Sequence, residues 1–105
     1  MYLVIDQGTS STKGFLFKKN GEIFYEEKIK HKLHYLSKDH IECDANEILN
    51  ACKTLIYNLP SLANSPILAM GLAIQRSTFL FWDRKSIKPV TMARSWQDSS
   101  SKNIV

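Results

Sequence analysis

A carboxylate, a glycine, four consecutive hydroxyl residues and a lysine occupy the stretch from Asp6 to Lys13, directly after a short apolar run. Gly8 lets the backbone approach a ligand closely, and the hydroxyl and amide groups of residues 9–12 can surround phosphate oxygens. Lys13 can offset the charge of those oxygens, and Asp6 can hold Mg²⁺ through its water molecules. A second apolar run begins directly after Lys13, so the pattern predicts two strands joined by a phosphate-binding turn.

This stretch differs from the two common glycine-rich nucleotide motifs. Neither GxxxxGK[ST] nor GxGxxG occurs, and no helical pattern follows directly. An ordinary hairpin with a solvated polar turn is the alternative interpretation, because Asp, Gly and Ser are common turn residues. For Ser11 and Thr12, that alternative means plain pairing between the two strands.

Three blocks of the sequence resemble one known family. Asp6–Lys13 resembles the first phosphate loop of the actin, Hsp70 and sugar-kinase superfamily, most closely that of the FGGY carbohydrate kinases, which include glycerol kinase and xylulokinase. Gly71–Thr78, running on to Arg84, is similar to the family's next block, and Ala93–Asp98 is similar to the block after it. The three blocks follow each other in the family's order and cover essentially the whole chain.

The resemblance implies an ATP-dependent kinase that uses Mg²⁺ to transfer the γ-phosphoryl group to a hydroxyl of a sugar or polyol. It assigns Mg²⁺, through water, to Asp6. It assigns the nucleotide phosphates to Gly8, Thr9, Ser10, Ser11 and Lys13. The family's general base is an aspartate in the second half of its chain, so we expect that aspartate beyond Val105 and assign no catalytic residue in this segment.

The resemblance also implies an acceptor site, to which it assigns Gln75, Arg76, Ser77 and Trp96. A guanidinium can donate two directed hydrogen bonds to sugar hydroxyls or to the product phosphate. Glycerol kinases carry Arg-Glu where this chain has Arg76-Ser77, and the missing carboxylate argues against glycerol as the acceptor. The alternatives to acceptor contact are a surface turn position for Arg76 and a core position for Trp96. For Trp82 we expect a core position rather than a role in the acceptor site.

Composition restricts the class of protein. A chain of 105 residues with 23% charged residues is enough for one small folded domain. The net charge of +4 comes mainly from residues 18–38, where glutamates and apolar residues alternate with the basic ones, so we expect no nucleic-acid partner. Cys43 and Cys52 lack CxxC spacing. The spacings of His31, His34, His40 and Cys43 fit no common zinc pattern. No apolar segment approaches membrane-spanning length, so we expect a cytoplasmic protein with reduced cysteines and no membrane partner.

Apolar periodicity predicts the elements that would hold these residues. The predicted strands cover Tyr2–Ile5, Gly14–Phe17, Glu22–His31 after an Asn20-Gly21 turn, a buried run from Ile67 to Gln75, Thr78–Trp82 and Val90–Ala93. His34–Cys43 is predicted as a loop. A helix is predicted to begin at Asp44, with Glu47 completing a capping box, and to end before Pro60. The stretch from Asp98 to Val105 is predicted to begin a further helix, capped by Asp98.

This order predicts an α/β fold, namely half of a ribonuclease-H-like (actin-like ATPase) domain. An antiparallel β-meander is followed by a crossover helix and a parallel return strand. We expect residues 1–105 to be the N-terminal segment of an FGGY kinase's first domain, truncated before that domain is complete.

Three hypotheses about function remain open from the sequence. The first is part of a carbohydrate kinase, with a sugar or polyol as its substrate. The second is a non-catalytic truncated or split-gene remnant that binds phosphate or assembles with a second chain. The third is another actin-fold ATPase, against which the Arg76 and Trp96 blocks argue. Homo-oligomerisation and association with a missing C-terminal part are both compatible with an incomplete sheet.

Overall fold

The structure is a computed structural model that describes residues 1–102, which form nine strands, one α-helix and one short 3₁₀-helix. The chain folds into two compact units. The first unit consists of Met1–His31 and Ile48–Gln75, and the second consists of Lys32–Glu47 and the chain from Arg76 onward.

The first unit contains a four-stranded mixed sheet. Its strands are β1 (Tyr2–Gln7), β2 (Ser11–Phe17), β3 (Ile23–Lys30) and β6 (Ala69–Ile74). Their order across the sheet is β3-β2-β1-β6. Strands β1, β2 and β3 form an antiparallel meander, and β6 runs parallel to β1. The predicted fold is therefore confirmed, with β1 in the interior of the sheet and β3 at one edge.

One face of this sheet forms the core. Along β1 and β2 every second residue is buried, as the two-residue period of a strand requires. The core consists of Met1, Leu3, Ile5, Leu16, Leu55 and Leu59. A Cβ atom at Gly14 of β2 would overlap the Leu59 side chain. Glycine at this position therefore allows the helical segment to lie directly on the strand.

Helix α1 (Ala45–Asn58) continues into a 3₁₀-helix (Leu59–Leu62) that contains Pro60. Only the N-cap half of the predicted capping box forms, and the half that involves Glu47 is wrong. The Asp44 carboxylate accepts a hydrogen bond from the backbone N–H of Asn46 at 2.9 Å, as an N-cap should. The Glu47 carboxylate instead accepts a hydrogen bond from the backbone N–H of Lys32 at 2.9 Å.

The sequence correctly predicts a strand at β6, but the prediction that this strand is buried is wrong. All six of its residues are exposed. The core residues of α1 pack on β1 and β2, and no residue of the described chain covers the side chains of β6.

The second unit contains five short strands, three of which the sequence pattern did not predict. The unpredicted strands are β4 (Leu33–Tyr35), β5 (Ile41–Cys43) and β8 (Lys88–Pro89), and the other two are β7 (Trp82–Asp83) and β9 (Ala93–Arg94). A three-stranded antiparallel sheet has the order β4-β5-β9, and a separate two-stranded ladder joins β7 to β8.

The predicted loop from His34 to Cys43 is therefore wrong at both ends, where β4 and β5 pair and bury Ile41 and Cys43, and it is right only for residues 36–40. The strands predicted at Thr78–Trp82 and Val90–Ala93 are shorter and lie further along the chain. No helix is present between Asp98 and residue 102, and the rest of the predicted final helix lies outside the described residues.

Within residues 1–102, no helix has the length and apolar character needed to cross a membrane.

Candidate functional site

The turn between β1 and β2 is closed by a backbone hydrogen bond from the N–H of Gly8 to the carbonyl of Ser11, 2.9 Å long. A Cβ atom at Gly8 would lie only 2.9 Å from that same carbonyl oxygen. A side chain there would push the two strands apart, so the tight turn requires glycine. On the far side of the turn, the carbonyl of Ser10 accepts a hydrogen bond from the backbone N–H of His31 at 3.0 Å.

Asp6 and Lys13 lie directly opposite each other on the two strands that flank this turn. Cross-strand partners project from the same face of a sheet, so both side chains lie on the face opposite the core. No ion pair joins them to each other or to any other residue of the described chain. A carboxylate and an ammonium group are therefore both available to a ligand bound at the turn.

The carbonyl oxygen of Gly8 accepts hydrogen bonds from two side-chain amides. The distances are 2.7 Å to Nε2 of Gln7 and 3.1 Å to Nε2 of Gln75. The backbone N–H of Gln75 also donates to the carbonyl of Gln7, at 2.9 Å. In a trans peptide the carbonyl and the following N–H point in opposite directions, so these amides direct the N–H of Thr9 away from themselves. Gln75, assigned to the acceptor by resemblance, thus also orients the turn.

The four hydroxyl residues do not share one environment. Thr9, Ser10 and Ser11 retain solvent access, whereas Thr12 is fully buried on the core face. The Thr12 hydroxyl lies beside the Cys52 thiol. Burial raises the pKa of that thiol, and hydrogen bonding with the Thr12 hydroxyl lowers it in part. Thr12 is therefore a core residue, unlike the three hydroxyl residues before it.

The remaining predicted acceptor residues, Arg76, Ser77 and Trp96, all belong to the second unit. Ser77 has a φ of +60°, in the left-handed region that non-glycine residues rarely adopt. Such strained positions cluster at functional sites. Trp96 is 52% exposed, so it is not a core residue. Trp82 is 55% exposed, so the prediction that Trp82 lies in the core is wrong.

A pair of backbone hydrogen bonds brings the two acceptor segments together. Phe79 and Arg94 donate to each other's carbonyls at 3.2 and 2.7 Å. Continuing this antiparallel register toward the acceptor residues places Ser77 across from Trp96. The backbone N–H of Trp96 donates to the Thr78 hydroxyl oxygen at 3.1 Å. Thr78 was not among the predicted acceptor residues, because no sequence pattern links it to Trp96, 18 residues further along the chain.

Asp98, predicted to cap a helix, instead ties together parts of the second unit. Its carboxylate accepts hydrogen bonds from the backbone N–H of Ile41 at 2.6 Å and of Ser100 at 3.0 Å. The guanidinium of Arg94 lies 3.5 Å away. Burial alone would raise the pKa of Asp98, but the hydrogen bonds from Ser100 and Ile41, together with the Arg94 charge, lower it to about 2.

Within the described residues, no group of three or more His, Cys, Asp or Glu side chains could enclose a metal ion. Asp6 is a single exposed carboxylate beside hydroxyl and amide donors. This set fits Mg²⁺, which keeps several water ligands and binds through one or two carboxylates together with substrate phosphates.

A meander with a parallel fourth strand, carrying a glycine- and hydroxyl-rich turn between its first two strands, defines an actin-like ATPase fold. The chain belongs to the FGGY family of carbohydrate kinases, because the family model for the N-terminal domain matches residues 1–105.

Similar proteins agree with this assignment. A probable glycerol kinase of Dictyostelium discoideum is 38% identical over 108 aligned positions, which cover 96% of this chain and 20% of the relative. A glycerol kinase of Nitrosomonas eutropha is 39% identical and covers 91% of this chain and 20% of the relative. The chain thus spans about a fifth of the length of the curated relatives that it matches.

Solved structures show the same fold. Glycerol kinase of Plasmodium falciparum with ADP superimposes with a TM-score of 0.86 at 30% identity, over 99% of this chain and 22% of that structure. A ligand-bound xylulose kinase of Lactobacillus acidophilus superimposes with a TM-score of 0.86 at 24% identity, over 99% of this chain and 21% of that structure.

Proposed function

We propose that this chain supplies the nucleotide-phosphate turn and acceptor residues of an ATP-dependent kinase that phosphorylates a hydroxyl of a sugar or polyol. The observation that carries the proposal is the pair Asp6 and Lys13, which flank a glycine-closed turn without forming an ion pair. Both signs of charge are needed at such a site, since a cation neutralises phosphate oxygens and a carboxylate holds their metal ion.

In this proposal each residue of the turn has a distinct role. Lys13 donates hydrogen bonds to the distal phosphate oxygens, and Thr9, Ser10 and Ser11 contribute hydroxyl and backbone N–H donors. Asp6 would hold Mg²⁺ through water, and the ion, when bound, neutralises charge on the phosphates. The amide of Gln75 keeps the Gly8 carbonyl turned away from the ligand, so the backbone presents donors rather than an acceptor.

In this proposal Arg76, Ser77 and Trp96 of the second unit contact the substrate that accepts the phosphoryl group. Arg76 would donate to substrate hydroxyls or to the product phosphate, and the exposed face of Trp96 would pack against the C–H face of the substrate. Ser77 offers a neutral hydroxyl where a glutamate would offer a charged acceptor. We therefore propose a polyol or sugar acceptor that does not depend on a carboxylate at this position.

A phosphate-binding segment without turnover is the second candidate function. It follows from the expectation that the family's general-base aspartate lies outside this segment. In this case the turn would bind nucleotide phosphates, and transfer would require a second polypeptide.

One pair of measurements separates these candidates. Titration of the ¹⁵N-labelled chain with Mg²⁺–ADP should shift the amide signals of residues 8–13, and Lys13→Ala should remove the shift while Lys19→Ala, a matched lysine away from the turn, should keep it. A coupled ADP-release assay with a panel of sugars and polyols should show no turnover for residues 1–105 alone, but turnover for a full-length protein that carries this segment.

Shifts that are absent, or that survive Lys13→Ala, would contradict the phosphate site. Binding without turnover in the full-length protein would support the second candidate instead.

A further inference from the structure

Lys13, Lys28 and Lys30 form a lysine cluster on one face of the meander, beside the turn between β1 and β2. Lys28 of β3 is the register partner of Lys13, and Lys30 is the register partner of Ser11. Cross-strand partners project from the same face of a sheet, so all three lysines lie on the face opposite the core. Ile29, between the two β3 lysines, packs against the core on the other face, as the alternation of a strand requires.

The backbone holds the end of β3 beside this turn. The N–H of His31 donates a hydrogen bond to the carbonyl of Ser10 at 3.0 Å, which continues the pairing of β2 with β3 past Lys30. The register shift in this pair lies between Leu16 and Phe17, toward the other end of the sheet. Lys30 is therefore held next to the turn that the proposed function assigns to the nucleotide phosphates.

The lysine cluster has no matching set of carboxylates. Lys13 and Lys28 face each other directly, and like charges in such a cross-strand pair are destabilising. Two carboxylates of the sheet share this face, namely Asp6 across from Lys13 and Glu26 two residues before Lys28. Among residues 1–102, no ion pair joins either carboxylate to a lysine of the cluster. An anionic ligand at the turn would relieve the repulsion between these lysines.

We propose that Lys28 and Lys30 extend the nucleotide-phosphate site from β2 to β3, so that three ammonium groups neutralise the polyphosphate of the nucleotide. This inference rests on the proposed function of the turn. Each ammonium group ends a flexible four-carbon stem, so neighbouring lysines can approach the same ligand. Lys30 lies closer to the turn than Lys28, and Lys28 shares with Lys13 the phosphate oxygens further from it. Because the attraction grows with the charge of the ligand, this site favours nucleoside di- and triphosphates over monophosphates.

Calorimetric titration of a full-length enzyme that carries this segment, with ADP and Mg²⁺ but without acceptor, tests the proposal. Lys28→Gln and Lys30→Gln should each weaken ADP binding about fivefold, since each removes one solvent-screened charge from the site. AMP binding should weaken less than ADP binding. Added salt should reduce the ADP affinity of each variant less steeply than that of the parent, because fewer ionic contacts remain to be screened.

Two controls separate charge from structure. Lys30→Arg keeps the positive charge and should retain the ADP affinity of the parent. Lys19→Gln makes the same change of charge in the turn between β2 and β3, at the other end of these strands, and should leave ADP affinity unchanged. The acceptor KM should be the same in every variant.

The proposal would be overturned by normal ADP affinity in either β3 variant, or by a loss no larger than that of Lys19→Gln. An equal rise in the acceptor KM would also overturn it, because the lysines would then act on the structure as a whole. If Lys13→Ala weakens ADP binding while the β3 variants do not, the phosphate turn stands and only its extension to β3 is wrong. If Lys13→Ala has no effect either, the proposed function itself is wrong.

Discussion

The backbone N–H of Trp96 donates a hydrogen bond to the hydroxyl oxygen of Thr78, with a donor–acceptor distance of 3.1 Å. Beside it, the backbone groups of Phe79 and Arg94 bond to each other in both directions. These three bonds hold the segment that follows Arg76 and Ser77 against the segment that leads into Trp96. The two segments assigned to the acceptor are thus one structural element of the second unit.

Thr78 should therefore act as a positioning residue for the acceptor. In a full-length enzyme that carries this segment, we expect Thr78→Val to raise the acceptor KM several-fold, because a hydrogen bond of about 1 kcal/mol no longer fixes the backbone at Trp96. Thr78→Ser retains the hydroxyl and should restore the acceptor KM. The KM for ATP should stay the same in both variants, and an equal rise in both KM values would instead indicate a general folding defect.

Local patterns account for what could be predicted from the sequence. Asp6 and Lys13 flank one short turn, so their pairing follows from the apolar runs on either side. The Thr78–Trp96 bond depends on a pairing between distant segments, which no local pattern encodes. Strand β5 is only three residues long and depends on β4 and β9 for its partners. The apolar sequence of β6 correctly indicated a strand, but burial depends on a covering layer that is not among the described residues.

Asp6→Asn in the full-length enzyme should lower kcat by at least an order of magnitude without changing the fold. The amide is neutral and nearly the same size, so the change removes the charge that would hold Mg²⁺ and leaves the hairpin intact. Kinetics over a range of Mg²⁺ concentrations should show a weaker metal dependence of turnover. Normal turnover with an unchanged Mg²⁺ requirement would contradict the role assigned to Asp6.

Ser77→Glu should shift the acceptor preference toward glycerol-like polyols. The introduced carboxylate is a stronger hydrogen-bond acceptor for substrate hydroxyls than the serine hydroxyl is. The measurement is kcat/KM across a panel of sugars and polyols, with Ser77→Gln as the control of the same size without the charge. An identical panel for both variants and the parent would show that this position does not determine specificity.

Gly14→Ala should destabilise the chain by about 1–3 kcal/mol, because the new methyl group would overlap Leu59 in a packed core. Gly71→Ala is the matched control: the nearest atom to a Cβ there is 4.0 Å away, on Val4. Urea unfolding followed by circular dichroism measures both free energies. Equal effects at the two glycines would mean that close packing at Gly14 is not what requires glycine.

Stability of the second unit should fall with acid in a way that depends on Asp98. Burial by itself would raise the pKa of this carboxyl, but the hydrogen bonds from Ser100 and Ile41 and the charge of Arg94 lower it to about 2. Because the pKa of Asp98 is lower in the folded state, its carboxylate is protonated in the unfolded chain at a higher pH than in the folded chain. The stabilisation is therefore complete above the ordinary carboxyl pKa, near 4, and is lost as the pH falls toward 2.

Asp98→Asn should remove this part of the pH dependence, measured as tryptophan fluorescence during urea unfolding at several pH values between about 2 and 6. Asp83, whose pKa is also lowered through hydrogen bonds from Ser86, serves as the comparison, because Asp83→Asn should leave the contribution of Asp98 in place. An acid profile that Asp98→Asn does not change would show that the hydrogen bonds from Ile41 and Ser100 do not stabilise the ionised carboxylate.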